Sequence, residues 1–233
     1  FVKRPFFSSF YGWRMNRAST RHWIKPFIQR YGIDPDDFAD PIESYRNFND
    51  FFSRRLRTTS RPVDSDPAKA CFPADGRHLG FDDLSAAPSG FVKGQEFDLI
   101  ELFQSRDRAT RYHRGSAVLS RLCPTDYHRF HFPTAGLACP ATLINGSLYS
   151  VSPLALRQQL DYLWQNKRMV TEMTTPTLGL VTIVEFGATN VGSIHQTYLP
   201  DQHVDKGEEK GFFAFGGSAT MTFFEPGRIQ LAS

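Results

Sequence analysis

The chain has 233 residues, a net charge of +3 and 40% hydrophobic residues, which suits one domain, or one and a half, with a sizeable core. No stretch approaches the ~20 uninterrupted apolar residues that span a bilayer, and the N-terminus lacks the apolar region and small-residue site of a signal peptide. Three widely spaced cysteines without a CxxC argue against a disulfide framework or a structural zinc site. No GxGxxG, P-loop or HExxH occurs; neither a metal nor a nucleic-acid partner is expected.

The charge is uneven. Residues 1–30 carry Lys3, Arg4, Arg14, Arg17, Arg21, Lys25 and Arg30 with no acid, leaving 20 basic against 24 acidic residues in the remainder. Such asymmetry points to an anionic partner for the N-terminal segment. The first residue is Phe rather than Met, so a preceding segment is expected.

Taken in chain order, Ser19–Tyr31 has helical spacing. Ser19 and Thr20 offer an N-cap, Trp23, Ile24, Phe27 and Ile28 form the apolar stripe, and Gly32 is the stop. A basic, aromatic amphipathic helix suits an anionic membrane surface; the alternative is a terminal helix packed on the domain. Asp34-Pro35 and Asp40-Pro41 signal turns or helix starts. Tyr45, Phe48, Phe51 and Phe52 read as one face of a short helix, with Arg54, Arg55 and Arg57 near its end to suit the dipole. Residues 58–70 read as a loop.

After Cys71 the segments turn short and rich in Val, Ile, Phe and Thr, broken by Gly, Pro or Asp about every ten residues, as in an antiparallel β pattern. SAVLSRL (116–122), residues 141–151, residues 180–194 and TMTFF (220–224) are the clearest strands. Asn145-Gly146 is a hairpin signal, and Gly187-Ala188-Thr189-Asn190 reads as a turn. One helix, 153–166, carries Leu154, Leu156, Leu160, Leu163 and Trp164 as its stripe. The fold class is α+β: an N-terminal helical, membrane-associating segment over 1–60 and a mostly antiparallel β catalytic domain over 61–233.

The chemistry concentrates in three places. In GFFAFGGSAT, Gly216 and Gly217 precede Ser218 within an apolar run. A bulge or tight turn is the ordinary use of such a pair, and GxSxG, the nucleophile elbow, is not matched. A third reading is internal cleavage. The Ser218 hydroxyl attacks the carbonyl of Gly217, which has no Cβ to obstruct the approach. The ester then eliminates, and the serine becomes a pyruvoyl group at a new N-terminus. That chemistry needs a base and an orienter. CFPADGR supplies Asp75. CPTDYHRFHFPTAG supplies His128 and His131, flanked by Asp126, Tyr127 and Arg129.

These stretches, in this order, resemble the phosphatidylserine decarboxylase family. YRNFNDFFSRRLRTTSRPVD, PADGR, PTDYHRFHFPTAG, LINGSLYSVSP, NKRMV, GATNVGSI, FGGS and FFEPGRI each match a family segment; Ala219 departs from it, since the family usually places Thr there. The resemblance implies cleavage between Gly217 and Ser218 and a covalent pyruvoyl cofactor derived from Ser218. It implies catalytic roles for Ser218, Asp75, His131 and His128. His131 would be the base for self-cleavage and Asp75 its orienter. His128, with Tyr127 and Arg129, would lie at the substrate. The implied reaction forms phosphatidylethanolamine and CO2 through a Schiff base between the pyruvoyl ketone and the substrate amine. The implied partners are phosphatidylserine, an anionic membrane surface at the cytoplasmic face, the protein's own cleaved β and α chains, and a second copy in a homodimer. A pyruvoyl enzyme acting on a soluble amino acid and an uncleaved lipid-surface binding protein are the alternatives.

Overall fold

The computed structural model describes residues 12–86, 97–188, 193–216 and 218–231. Its centre is a large antiparallel sheet. The sheet's strands are β1 (Arg77–Phe81), β2 (Ser116–Leu122), β4 (Gly136–Ala138), β5 (Thr142–Ile144), β6 (Arg168–Thr175), β7 (Gly179–Gly187), β9 (Gln202–Val204) and β11 (Ser218–Phe224). They run in the order β1-β2-β11-β7-β6-β4-β9, with β5 also paired to β6. A smaller sheet, β3 (Arg129–His131), β10 (Glu209–Phe213) and β8 (Ile194–Gln196), has β10 in the middle.

The period-2 rule explains the layering. In β11, Ala219, Met221 and Phe223 point to one face and join Leu119, Val184 and Phe186 in the main core. That face is covered by helices α3 (Leu99–Phe103), α4 (Arg106–Tyr112), α5 (Pro153–Gln158) and α6 (Tyr162–Gln165). Ser218, Thr220 and Thr222 occupy the opposite face, on which the small sheet contributes Phe130 and Phe213 packed with Leu122. β11 is buried along its whole length and paired on both sides, to β2 and to β7.

The N-terminal helices form a separate aromatic cluster. A 3-10 turn (Ala18–Trp23) leads into α1 (Ile24–Tyr31), which ends at Gly32 in the left-handed conformation. The expected Ser19/Thr20 cap is not made. Instead the Thr20 hydroxyl donates to the Met15 and Arg17 carbonyls and accepts from Phe48 N–H. Ile24 and Ile28 are turned inward against Phe38, Tyr45, Phe48 and Phe51. Those apolar side chains are therefore spent on the interior, while Trp13, Tyr31 and the five basic residues from Arg14 to Arg30 stay exposed. Among the described residues no helix is long and apolar enough to cross a membrane.

Three further expectations change. Asn145-Gly146 makes no hairpin: β5 pairs with β6, and a Cβ at position 146 would lie 2.3 Å from the Gln165 carbonyl oxygen. That glycine serves close backbone approach. The helix expected over 153–166 is two short helices separated by Gln159–Asp161, and Leu154 is exposed. Arg54 does stand just past the end of its helix, but buried rather than out in solvent. It is 4% exposed and lies over the Phe38 and Phe51 rings. The turn expected at 187–190 falls largely outside the described residues.

Candidate active site

The two glycines stand where the chain leaves the small sheet for the large one. β10 ends at Phe213, Gly216 takes φ +140°, and β11 begins at Ser218. A φ in that region is open to glycine and costs other residues about 1–3 kcal/mol. Gly217 lies outside the described residues.

The bend is held from three directions. Phe213 N–H donates to the His128 carbonyl and Ala214 N–H to the Ser193 carbonyl. Phe215 N–H donates to Asn49 Oδ1 at 2.8 Å, and its ring packs on Phe48 and Phe52. Asn49 belongs to α2 (Phe48–Phe52), which Asn47 caps by accepting from Asp50 N–H. The FNDFF run therefore seats the N-terminal cluster on the bend that precedes Ser218.

Ser218 is fully buried, and its Oγ meets no hydrogen-bond partner among the described residues. His128 is equally buried, its ring 3.9 Å from that of Phe52. Its Nδ1 lies 2.9 Å from the Asp126 carbonyl, which a neutral ring satisfies by donating from Nδ1. Nε2 is then the lone-pair nitrogen, and it meets no partner among the described residues. The Gly216 backbone is close enough to favour the charged ring, but burial outweighs it and pushes the pKa down to about 3. His128 thus abuts the bend as a neutral base.

Asp75 and His131 come together in a different compartment. Both line an open cleft of about 880 Å³ with Tyr127, His78, Arg61 and Phe72; Ser218 and His128 do not line it. The Asp75 carboxylate accepts from Arg61 Nε and Nη2 at 2.8–3.1 Å. His131 Nδ1 lies 2.9 Å from the Gly207 carbonyl, so the backbone, not Asp75, fixes its tautomer. Burial lowers the His131 pKa, while the Gly207 bond and, more weakly, the charge of Asp75 raise it. Tyr127 stacks beside His131, and burial pushes its pKa up to about 12. Arg129 is committed elsewhere: its Nη1 is 2.7 Å from Glu209 Oε1, and its Nε donates to the Ser53 carbonyl.

Several residues that support the candidate site stand in the sequence only inside matched segments, with no role of their own: Arg61, which grips Asp75, and Asn166 and Arg168 of NKRMV. Asn166 is buried and bonds both backbone groups of Tyr149 and the carbonyl of Gly187, which sits opposite Ser218. Arg168 donates to the carbonyls of Glu101, Leu102, Trp164 and Asn166, capping α3 and α6. Nothing in a sequence distinguishes such a buried arginine from a solvated one.

A serine sealed at the head of a central strand, after a glycine bend that a buried neutral imidazole abuts, puts the candidate chemistry inside the β framework. The family model described as phosphatidylserine decarboxylase matches residues 48–233. A phosphatidylserine decarboxylase proenzyme of Chlamydia trachomatis serovar L2 is 43% identical over 227 residues, covering 97% of this chain and 75% of the relative. Proteins of the same name from Clostridium kluyveri and Desulfitobacterium hafniense are 40% and 39% identical over 230 residues, covering 99% of this chain and 78% and 77% of themselves. The chain belongs to the phosphatidylserine decarboxylase family, a family of carboxy-lyases.

Proposed function

We propose that this protein is a self-cleaving decarboxylase that converts phosphatidylserine to phosphatidylethanolamine and CO2, using a pyruvoyl group made from Ser218. The observation that carries the reading is the Ser218 hydroxyl: buried, without a partner among the described residues, and following a bend at Gly216 that only glycine accommodates well. A buried hydroxyl normally finds a hydrogen bond, and one that does not asks for an explanation; attack on the preceding carbonyl supplies one. His131 is the base that the family resemblance implies, with Nε2 as its accepting nitrogen and Asp75 raising its basicity through space; it lines the open cleft, so its reach to the Ser218 hydroxyl is part of the proposal. The ketone so formed supplies an electron sink for the pair left behind when CO2 departs.

The residues around position 218 fit a small ketone. Gly187 faces it across the ladder with no side chain, and the His128 ring abuts the bend at Gly216. His128 orients the head group from the buried side. Tyr127 lines the cleft side, and Arg129, tied to Glu209, anchors the start of β3 directly after both. Cleavage would leave the residues from Ser218 onward as the α chain. β11 holds that chain through ladders to β2 and β7 and three core side chains, so the β and α chains stay together.

The exposed Arg14, Arg17, Arg21, Lys25 and Arg30, with Trp13 and Tyr31, suit an anionic bilayer at the cytoplasmic face. A homodimer is the assembly carried over from the family. The test is CO2 release from carboxyl-labelled phosphatidylserine. Wild type should release label and lose that activity on phenylhydrazine treatment, whereas Ser218→Ala should remain uncut and inactive. Label release by Ser218→Ala would overturn the reading.

A further inference from the structure

Three of the buried cations in this protein are fully partnered. Lys210 Nζ lies 2.8 Å from Glu185 Oε1, with both side chains fully buried. Arg129 is tied to Glu209, and Arg168 donates to four carbonyls. Arg54 differs from them. It is 4% exposed, and its Nε and Nη1 are buried with no hydrogen-bond partner among the described residues. Its Nη2 reaches the Thr125 carbonyl only at 3.4 Å, longer than an ordinary N–H···O bond. The guanidinium lies 4.9 Å from the centre of the Phe51 ring and 5.3 Å from that of Phe38. Ring faces attract its charge but leave its in-plane donors empty. A guanidinium in a protein stays charged, so a buried one with an empty fork is costly until an anion joins it.

Arg54 also stands between the two compartments of the site. Thr125, which its Nη2 approaches, lines the open cleft beside Tyr127. On the sealed side, the His128 ring packs on Phe52, two residues before Arg54, and the Arg54 carbonyl accepts from Arg129 Nε, just after His128. Asp75 acts on Arg54 through its charge, and Arg54 acts likewise on His128. Asp75 does not fill the empty fork, because Arg61 already grips it.

A phosphatidylserine head group that passes from the cleft towards Ser218 brings two anions, a carboxylate and a phosphodiester. A guanidinium on the carboxylate would stabilise the charge that has to leave as CO2, and so would hold the ground state against the transition state. The phosphodiester keeps its charge from substrate to product, and a planar fork of donors suits its two oxygens. Resting on the decarboxylase reading above, we propose that Arg54 binds the phosphodiester of the lipid head group and makes the site prefer a phospholipid to a free amino acid. The segment that seats Phe215 beside the bend through Asn49 thus also carries the cation that holds the substrate. Its charge is kept at the expense of stability until the head group arrives.

The test uses the full chain, wild type and Arg54→Met, in thermal melts with three probes. Glycerophosphoethanolamine and ethanolamine share the amine and differ by the phosphodiester; inorganic phosphate is the third. Without a probe, Arg54→Met should melt at or above wild type, because it removes a buried charge that has no anion. Glycerophosphoethanolamine at about 10 mM should raise the wild-type melting temperature by at least about 2 °C and leave Arg54→Met unmoved, whereas ethanolamine should shift both equally. On phosphatidylserine vesicles the KM of Arg54→Met should rise at least about tenfold, with the loss falling on KM rather than kcat. Equal glycerophosphoethanolamine shifts in the two proteins, or a KM within about twofold of wild type, would overturn the proposal. A shift from inorganic phosphate as large as that from glycerophosphoethanolamine would make this a free-phosphate site and overturn the head-group assignment. If Arg54→Met melts far below wild type or fails to fold, Arg54→Lys decides. It keeps the charge over the rings and loses the fork; a raised KM supports the proposal, and a wild-type KM overturns it. The melts need no CO2 release. A wild type that binds the phosphodiester through Arg54 but releases no CO2 would remove the decarboxylase reading and leave the site, so the two failures are distinguishable.

Discussion

Acid should destabilise this protein through His128, by an amount the structure allows to be worked out. The ring is fully buried against Phe52 with a pKa of about 3, whereas an unfolded histidine titrates near pH 6.5. The folded pKa is depressed, so the stability from keeping this ring neutral is complete above about pH 6.5 and is lost as pH falls towards 3. At pH 5 the unfolded side chain is about 97% protonated and the folded one is still neutral. Their proton-binding difference is a factor of about 30, or about 2 kcal/mol. His128→Gln carries no such charge. In urea unfolding followed by tryptophan fluorescence, wild type should lose about 2 kcal/mol more than His128→Gln between pH 7.5 and pH 5. That is a midpoint shift of about 0.7–1 M for an m-value of about 2–3 kcal/mol/M. His78, His131 and His195 are also lowered by burial, but they act in both proteins and cancel. Equal pH slopes for the two proteins would show that His128 is solvated, and the account of a sealed, neutral imidazole would fall.

Other perturbations follow from the same geometry. Lys210→Met leaves Glu185 buried without its cation and should cost about 3–5 kcal/mol, whereas Lys210→Met with Glu185→Leu should recover most of it; thermal melts of the three proteins decide. Because burial holds the Glu185 pKa above the usual carboxylate range, Lys210→Met should lose further stability as pH rises from 5 to 8. Gly216→Ala, forced to φ near +140°, should lose about 1–3 kcal/mol and slow self-cleavage, measured as the fraction of uncut chain over time. Ala219→Thr, although it matches the usual family residue, places a hydroxyl among Met221, Phe223 and Phe186. It should lower stability by about 1–3 kcal/mol without speeding cleavage. Removing the charges of Arg14, Arg17 and Arg21 should weaken flotation with phosphatidylserine vesicles and leave flotation with neutral vesicles unchanged.

The strands that flank the site were legible because their alternation is strict. SAVLSRL is β2 residue for residue, and TMTFF is the body of β11. Gly32 was readable because a left-handed stop has few other solutions. The misreadings share a cause: a residue type with two physical uses was given the commoner one. Gly146 looks like half of an Asn-Gly turn, but it is there to let the backbone pass Gln165. Ile24 and Ile28 suit either a membrane face or a packed terminal helix, and they bury against Phe38 and Phe51. The matched motifs named Asp75, His128, His131 and Ser218, but not how they divide between a sealed pocket and an open cleft. That division depends on Gly216 turning the chain from one sheet to the other. The Glu185–Lys210 pair was invisible for the same reason. A glutamate inside VTIVEF and a lysine inside GEEKGFF meet only when β7 and β10 stack.

The central claim concerns the bond between residues 217 and 218. Denaturing mass spectrometry of the purified protein tests it most directly. Self-cleavage gives two chains, one ending at Gly217 and one beginning at 218, the latter lighter than a serine-headed chain by the elements of one ammonia. A single intact chain with full decarboxylase activity, or a second chain headed by serine, would contradict it.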